Sequence, residues 1–259
     1  MSLNKYSNLF FRNGFVHIPN FFTTSEAKRI QYYADSLEEW KEEKGKWMIY
    51  FEKDKNKNMK KSRIENFINY EPKFKDFLHN RIIPSLNTVN KSNMVLFKDK
   101  MNWKSPGGKG FNAHQDQPAW NDFPPKKFVS VALFGNKSSI ENGCLEFVKN
   151  KHLEGLFEYE KKNLGELTRE IEKSLKWEPI ETTPRDILFF DSFAPHRSGP
   201  NNSKKARRIF YFTFNDITEG EHYDNYIIKK REISPPDIER EGKEVKFKGT
   251  KYNLANPLE

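Results

Sequence analysis

Phe111-Asn112-Ala113-His114-Gln115-Asp116-Gln117-Pro118-Ala119-Trp120 brings an imidazole, a carboxylate and an indole together within a few residues. Along a β-strand, side chains at i and i+2 face the same side. The spacing therefore predicts His114 and Asp116 aimed into one space. One nitrogen and one hard oxygen pointing together suit a divalent transition metal such as iron. In a chain with six histidines such a tripeptide is a weak signal until its surroundings are read.

The chain around it reads as strands. Met94 to Trp103 is a long strand, Ser105-Pro106-Gly107-Gly108 a turn, and Phe128 to Phe134 the next strand. Asn142-Gly143 turns the chain into Cys144 to Val148, and strands return at Asp186 to Phe190 and Arg207 to Phe214. Ahead of these, Gly14 to Phe22 carries a short strand stopped by Pro19. Thr24-Ser25-Glu26 opens a helix through Ala27, Ile30, Tyr33 and Leu37, capped by Thr23 or Thr24. Lys46 to Glu52 reads as a strand, residues 53–61 as a basic, solvated and mobile loop, and Phe74 to Ile83 as a helix that Pro84 kinks or ends. An inserted helix is expected from about Glu158 to Leu175. After Asn215 the chain turns polar, and Ser234-Pro235-Pro236 with the basic tail reads as surface structure or partial disorder. Helices first and then many short, turn-punctuated strands predict an α+β protein on a jelly-roll-like barrel. With no repeat and no linker, the 259 residues read as one domain: a mainly helical part over 1–92, main barrel strands over 93–215 and a polar extension over 216–259.

His196 completes the chemistry. It lies in Phe193-Ala194-Pro195-His196-Arg197-Ser198-Gly199-Pro200-Asn201, just past the strand ending at Phe190, where it can reach back into a barrel. Two histidines and one carboxylate form the facial triad of non-haem Fe(II) oxygenases, which leaves coordination positions open. Arg207 opens the following strand. An inward arginine in an apolar barrel is costly unless a carboxylate pairs with it, and a dicarboxylate co-substrate would do so in bidentate geometry. Ser198, two residues past His196, offers a second hydrogen bond. Alternation alone does not choose between Arg207 and Arg208, because Ile209, Tyr211 and Thr213 share one face and Phe210, Phe212 and Phe214 the other.

Bulk composition narrows the class. A core is affordable at 36% hydrophobic residues, and it leans on 23 phenylalanines. The single cysteine, Cys144, excludes an internal disulfide framework and points to a reducing compartment; it reads as a small buried hydrophobe. No apolar run has membrane-spanning length and no signal-peptide pattern opens the chain, so a cytoplasmic protein is expected. The net charge of +9 fits either nucleic acid or an anionic small molecule. The lysines are scattered, which argues against a nucleic-acid surface. His17 reads as a half-buried structural residue and His79 as a surface one.

His114-Gln115-Asp116, Asn142-Gly143-Cys144-Leu145 with His152, and His196-Arg197-Ser198-Gly199-Pro200-Asn201-Asn202-Ser203 ending at Arg207-Arg208 together resemble the phytanoyl-CoA dioxygenase family. These are Fe(II)- and 2-oxoglutarate-dependent oxygenases built on a double-stranded β-helix (jelly-roll, cupin-like) core, here with flanking N-terminal and inserted helices. The resemblance extends to the strand at Gly14 to Phe22 and the helix after it, and so covers most of the chain. It implies His114, Asp116 and His196 as iron ligands, Arg207 as the arginine for the distal carboxylate of 2-oxoglutarate, and Ser198 as its hydroxyl partner. It also implies Lys100, with Lys98 before it on the same strand face, as help in holding the co-substrate, and Trp120 as a wall of the substrate pocket, as in the ectoine hydroxylase branch. Related halogenases carry a small residue where Asp116 stands, so the resemblance implies hydroxylation, with 2-oxoglutarate and dioxygen (O2) consumed.

Trp47 to Glu52 and Ser62 to Phe67 resemble a branch of the family that hydroxylates aminoalkylphosphonates and their N-methylated relatives. Lysines and arginines near the pocket, Arg63 among them, suit a phosphonate dianion. Trp120, Trp47 or Trp103 suits a quaternary ammonium through cation–π contact. Against this stands the plain reading in which the tryptophans are core and Arg63 and Glu65 are a surface pair. Three functions are thus carried forward, in this order: a small-molecule hydroxylase, a related oxygenase acting on a macromolecule through the basic loop, and a non-catalytic β-barrel binding module.

Overall fold

The computed structural model of the protein describes residues 3–53, 58–159 and 165–240. The N-terminal part runs α1 (Asn4–Asn13), β1 (Phe15–Ile18), α2 (Thr24–Glu39), β2 (Met48–Lys53), β3 (Met59–Glu65), α3 (Pro72–Phe77) and α4 (Ile83–Asn90). The barrel follows with β4 (Met94–Lys104), β5 (Phe111–His114), β6 (Val129–Phe134), β7 (Leu145–Phe147), α5 (Arg169–Ser174), β8 (Glu178–Ile180), β9 (Ile187–Asp191), β10 (His196–Ser198) and β11 (Arg207–Asp216), and α6 (Tyr223–Ile233) comes after it.

Two antiparallel sheets form the α+β core. The large one has strand order β1-β9-β6-β11-β4-β3-β2 and the small one β5-β10-β7-β8. One face of the large sheet packs on the helices: Phe210, Phe212 and Phe214 from β11 join Phe67, Phe74 and Ile30 in a single cluster. Its other face meets the small sheet, where Phe134, Leu188, Phe190 and Tyr211 pack against Leu145 and Phe147. A Phe-to-Ala change in such a core costs about 3–5 kcal/mol. The alternation of β11 is thereby sorted: phenylalanines to the helices, Arg207, Ile209, Tyr211 and Thr213 to the barrel interior.

Several local expectations are corrected. α1 was not foreseen; Tyr6 and Phe10, one turn apart, bury its inner face. Thr23 is the cap of α2, exchanging both bonds of a capping box with Glu26. Residues 59–61 are not loop but the start of β3, while 54–57 lie outside the described residues. Pro84 does not end its helix: the chain passes from α3 through a π-helical turn at Leu78–Ile82, which absorbs the misfit, and resumes as α4. The inserted helix shrinks to α5, because Gly165 takes a left-handed φ of 85° and Thr168 then caps a fresh start; residues 160–164 of that expectation lie outside the described residues. The polar extension is not merely surface. α6 is tied to the sheet by Tyr223, whose hydroxyl donates to Asp99 at 2.5 Å, and it drives Tyr226 and Lys230 into the barrel. The basic tail beyond residue 240 lies outside the described residues.

Candidate active site

β5 and β10 are neighbours in the small sheet, and their register sets His196 directly opposite His114. The two rings lie 4.1 Å apart, centroid to centroid. Asp116 is not on the strand as the i, i+2 argument supposed. β5 stops at His114, and Asp116 opens a short 3-10 turn, Gln117–Trp120. The turn still swings its carboxylate to the same place: Oδ1 is 3.7 Å from His114 Nε2 and Oδ2 is 3.9 Å from His196 Nε2. All three candidate ligand atoms fall within 4.8 Å of one another.

The surroundings prepare these groups as ligands. His114 Nδ1 is 2.7 Å from the Asn112 carbonyl and His196 Nδ1 is 3.1 Å from that of Ala194. A carbonyl accepts only from a protonated Nδ1, which turns each unprotonated Nε2 inward. Burial, aided by His196, pushes His114 down to about 4, and burial also lowers His196. Burial works to raise Asp116, but His196, His114, Lys100 and Lys98 outweigh it and hold the carboxyl below its ordinary value. Two neutral imidazoles and one carboxylate, each with its inner atom free for a ligand bond, fit a divalent iron ion.

β4 and β11 pair along their whole length, which orders the rest of the interior into rows. Lys98 lies across from Thr213, Lys100 from Tyr211, Asn102 from Ile209 and Lys104 from Arg207. Arg207 is buried; it donates to the Gly143 carbonyl, and its Nε has no acceptor among the described residues. Burial lowers its pKa, and its charged neighbours include no Asp or Glu. A buried guanidinium without a counter-charge calls for an anion, and a carboxylate such as that of 2-oxoglutarate fits it. Arg208 turns the other way and pairs with Asp35 and Glu38 of α2, so the two arginines are told apart.

Ser198 stands at the same end, but its hydroxyl accepts from Lys104 Nζ at 2.7 Å rather than from Arg207. Lys104, which donates also to the Gly199 carbonyl at 2.5 Å, was missed by the sequence reading. Its signal was present as the last member of the inward series Lys98, Lys100, Asn102 and Lys104. Lys98 is not beside Arg207: six residues of strand, about 20 Å, separate its row from that of Lys104. Gly143 and Gly199 make the floor here by close backbone contact. A Cβ on Gly143, whose φ is 72°, would stand 2.1 Å from the Gly199 oxygen.

At the opposite end Trp120 is buried against Phe97 and Phe128, and its indole lines the cleft over the metal ligands. Phe97 is the extra residue of a bulge in β4, set between Leu96 and Lys98 where the pairing with β11 slips. Lys98 Nζ sits 5.5 Å from the Trp120 ring and 5.0 Å from that of Tyr226. Lys100 Nζ sits 4.9 Å from the Tyr211 ring. Arg63 is buried, not a surface residue; it pairs with Glu65 at 3.3 Å. Glu65 in turn takes the Tyr226 hydroxyl at 2.9 Å and lies 3.8 Å from Lys230. Burial would raise Glu65, yet Lys230, Lys98, Arg63 and Lys100 bring it down to about 2. Trp47 and Trp103 belong to the helix-side core and do not reach the site. His17 is half-buried against Asp186 at 3.4 Å, and His79 is exposed.

No helix among the described residues is long and apolar enough to cross a membrane. Comparison with curated proteins finds a 2-aminoethylphosphonate dioxygenase from Uncultured bacterium HF130_AEPn_1, 38% identical over 249 residues and covering 95% of this chain and 94% of the relative. It also finds a methylphosphonate hydroxylase from Gimesia maris, 31% identical, covering 85% of this chain and 83% of the relative. Among solved structures, the epimerase SnoN, crystallised with Fe3+, alpha ketoglutarate and nogalamycin RO, superposes with a TM-score of 0.70 over 83% of this chain and 84% of its own. At 18% identity that likeness speaks for the fold, the double-stranded β-helix. The family model for phytanoyl-CoA dioxygenase matches residues 10–209, from α1 to the start of β11. With most of its length under that model, the chain belongs to the phytanoyl-CoA dioxygenase family.

Proposed function

We propose that this Fe(II)- and 2-oxoglutarate-dependent dioxygenase hydroxylates an unactivated C–H bond of a small phosphonate, an aminoalkylphosphonate or an N-methylated analogue. One observation carries the substrate class. Four cationic side chains, Arg63, Lys98, Lys100 and Lys230, surround Glu65, and Lys98 and Lys100 act on Asp116 as well. The ammonium groups of Lys98 and Lys100 meet aromatic faces and no hydrogen-bond acceptor among the described residues. Desolvated cations in such excess are costly, and a dianion with three acceptor oxygens relieves the cost. The names of the two relatives point the same way.

In this reading His114, His196 and Asp116 hold the iron. Arg207, with Ser198 and Lys104, receives the distal carboxylate of 2-oxoglutarate. Bound iron, 2-oxoglutarate and dioxygen supply the oxidising power for the C–H bond. The chain's own work is positional. Lys98, Lys100 and Arg63 grip the phosphonate, and Trp120, Tyr211 and Phe111 wall the cleft against water. A cytoplasmic setting accords with the one free thiol, Cys144, which is buried. The buried Arg63, Lys98 and Lys230 support a small anionic substrate in preference to nucleic acid.

Iron-loaded protein should form succinate from 2-oxoglutarate when a phosphonate is added, with a hydroxylated phosphonate seen by phosphorus NMR. No stimulation by 2-aminoethyl-, trimethylammonioethyl-, methyl- or ethylphosphonate would remove the reading.

A further inference from the structure

We propose that Glu52 and Asn102 form the seat of the substrate's amino group, so that Glu52 sets the preference for an amine-bearing phosphonate. The inference rests on the phosphonate reading above. The two relatives are named for a phosphonate with an amine and for one without it, so the amine is the group that this chain's own residues must decide.

Glu52 lies near the end of β2 and is 8% exposed. Both its carboxylate oxygens are buried, and neither has a hydrogen-bond partner among the described residues. Asn102 lies on β4, directly across from Arg63 of β3. It lines the cleft beside the metal ligands, and its Oδ1 is likewise buried without a partner. The two groups are linked through their neighbours. Arg63 stands across from Asn102 in the sheet, and its charge, ahead of that of Lys104, is the one that acts on Glu52. Neither Arg63 nor Lys104, the charges that act on Glu52, forms an ion pair with it.

Buried acceptors left unmade are expensive, and here three such atoms, two on Glu52 and one on Asn102, have Arg63 as their common neighbour. A primary ammonium supplies what is missing: three N–H donors and a positive charge on a compact head. Burial pushes the Glu52 carboxyl up to about 7 despite Arg63 and Lys104, so a cation arriving beside it would also favour its ionised form. With the phosphonate held at the Arg63 end of the cationic group, the amine of a short aminoalkyl chain would be directed past Asn102, which lines the cleft, toward Glu52.

The test compares kcat/KM for 2-aminoethylphosphonate and for propylphosphonate, which matches its length and lacks the charge, in the full iron-loaded chain and in Glu52→Gln. The wild type should favour the amine, and Glu52→Gln should cut that preference by about 30-fold or more, as expected when one partner of a buried charge pair is removed. Glu52→Asp, which keeps the charge, should retain most of it, and thermal melts establish that both variants fold. A preference that survives in Glu52→Gln overturns the inference, as does a wild type that turns over propylphosphonate and ignores the amine. A wild type that turns over no phosphonate at all overturns the phosphonate reading itself and takes this inference with it.

Discussion

Replacing Arg207 by methionine separates what this side chain does for the fold from what it does for the co-substrate. In the ligand-free protein the guanidinium is 1% exposed, donates to the Gly143 carbonyl and leaves Nε without an acceptor. A buried charge carries a desolvation cost of several kcal/mol, and a charged hydrogen bond to a carbonyl returns about 1.5–3 kcal/mol. Methionine fills similar space without the charge, so ligand-free Arg207→Met should be no more than about 1 kcal/mol less stable than the wild type, or more stable. With 2-oxoglutarate the sign reverses. Losing one partner of a buried, hydrogen-bonded charge pair costs about 2–5 kcal/mol, a roughly 30- to 4,000-fold rise in Kd. Thermal melts with Mn(II) in place of iron read both effects. At about 100 times its Kd, 2-oxoglutarate should stabilise the wild type by about 2.7 kcal/mol, and this gain should fall to about 0.9 kcal/mol or less in the variant at the same concentration. An undiminished gain, or a ligand-free variant weakened by more than about 3 kcal/mol, would make Arg207 a structural residue and refute the argument.

Other expectations follow from the same geometry. Arg208→Ala removes a guanidinium whose partners, Asp35 and Glu38, are exposed, so it should cost at most about 1 kcal/mol and leave the KM for 2-oxoglutarate as it was; a raised KM would reopen the choice between the arginines. Asp116→Ala should weaken Mn(II) binding, measured by calorimetry, by more than the roughly 10–100-fold that an outer-shell partner is worth. Lys98→Met should lower kcat/KM for the phosphonate by about 30-fold or more with little change in the KM for 2-oxoglutarate; equal losses in both would place Lys98 on the co-substrate after all. Stability of the ligand-free protein should rise from about pH 7 to about pH 9. Burial pulls Lys104 down to about 6 and Lys100 and Lys230 to about 7, so the folded state has shed protons that lysines of the unfolded chain hold until about pH 10.4. Unfolding then takes up protons, and stability climbs with pH. Saturating 2-oxoglutarate and phosphonate should flatten the slope, and a melting temperature that falls over this range would contradict it.

Much of this was legible in the chain itself. The facing of His114 by His196 follows from strand order, and the alternation of β11 already divided Arg207 from Arg208 without saying which faced inward. That choice needed Asp35 and Glu38, which α2 brings from far away in sequence. The same limit hid Glu52, Glu65 and Lys230. Each looks like an ordinary surface charge until β2, β3 and α6 are laid beside β4, because burial of a charge depends on neighbours that local pattern does not contain. Lys104 was different: the polar period of two along β4 pointed to it, and only its pairing with Arg207 gave that period meaning.

α6 is made after every strand of the barrel, yet it carries Tyr226 and Lys230, which close the site around Glu65. During synthesis at about 5–20 residues per second, the emerging chain therefore passes through a stage in which the His114, Asp116 and His196 set is complete and the wall beside it is missing. A cut after Asn215 would take Tyr226 and Lys230 away from Glu65 and remove the ring over Lys98, opening that flank of the site. The wall of the site beside Glu65 is thus supplied later in the chain than the three candidate metal ligands, by α6.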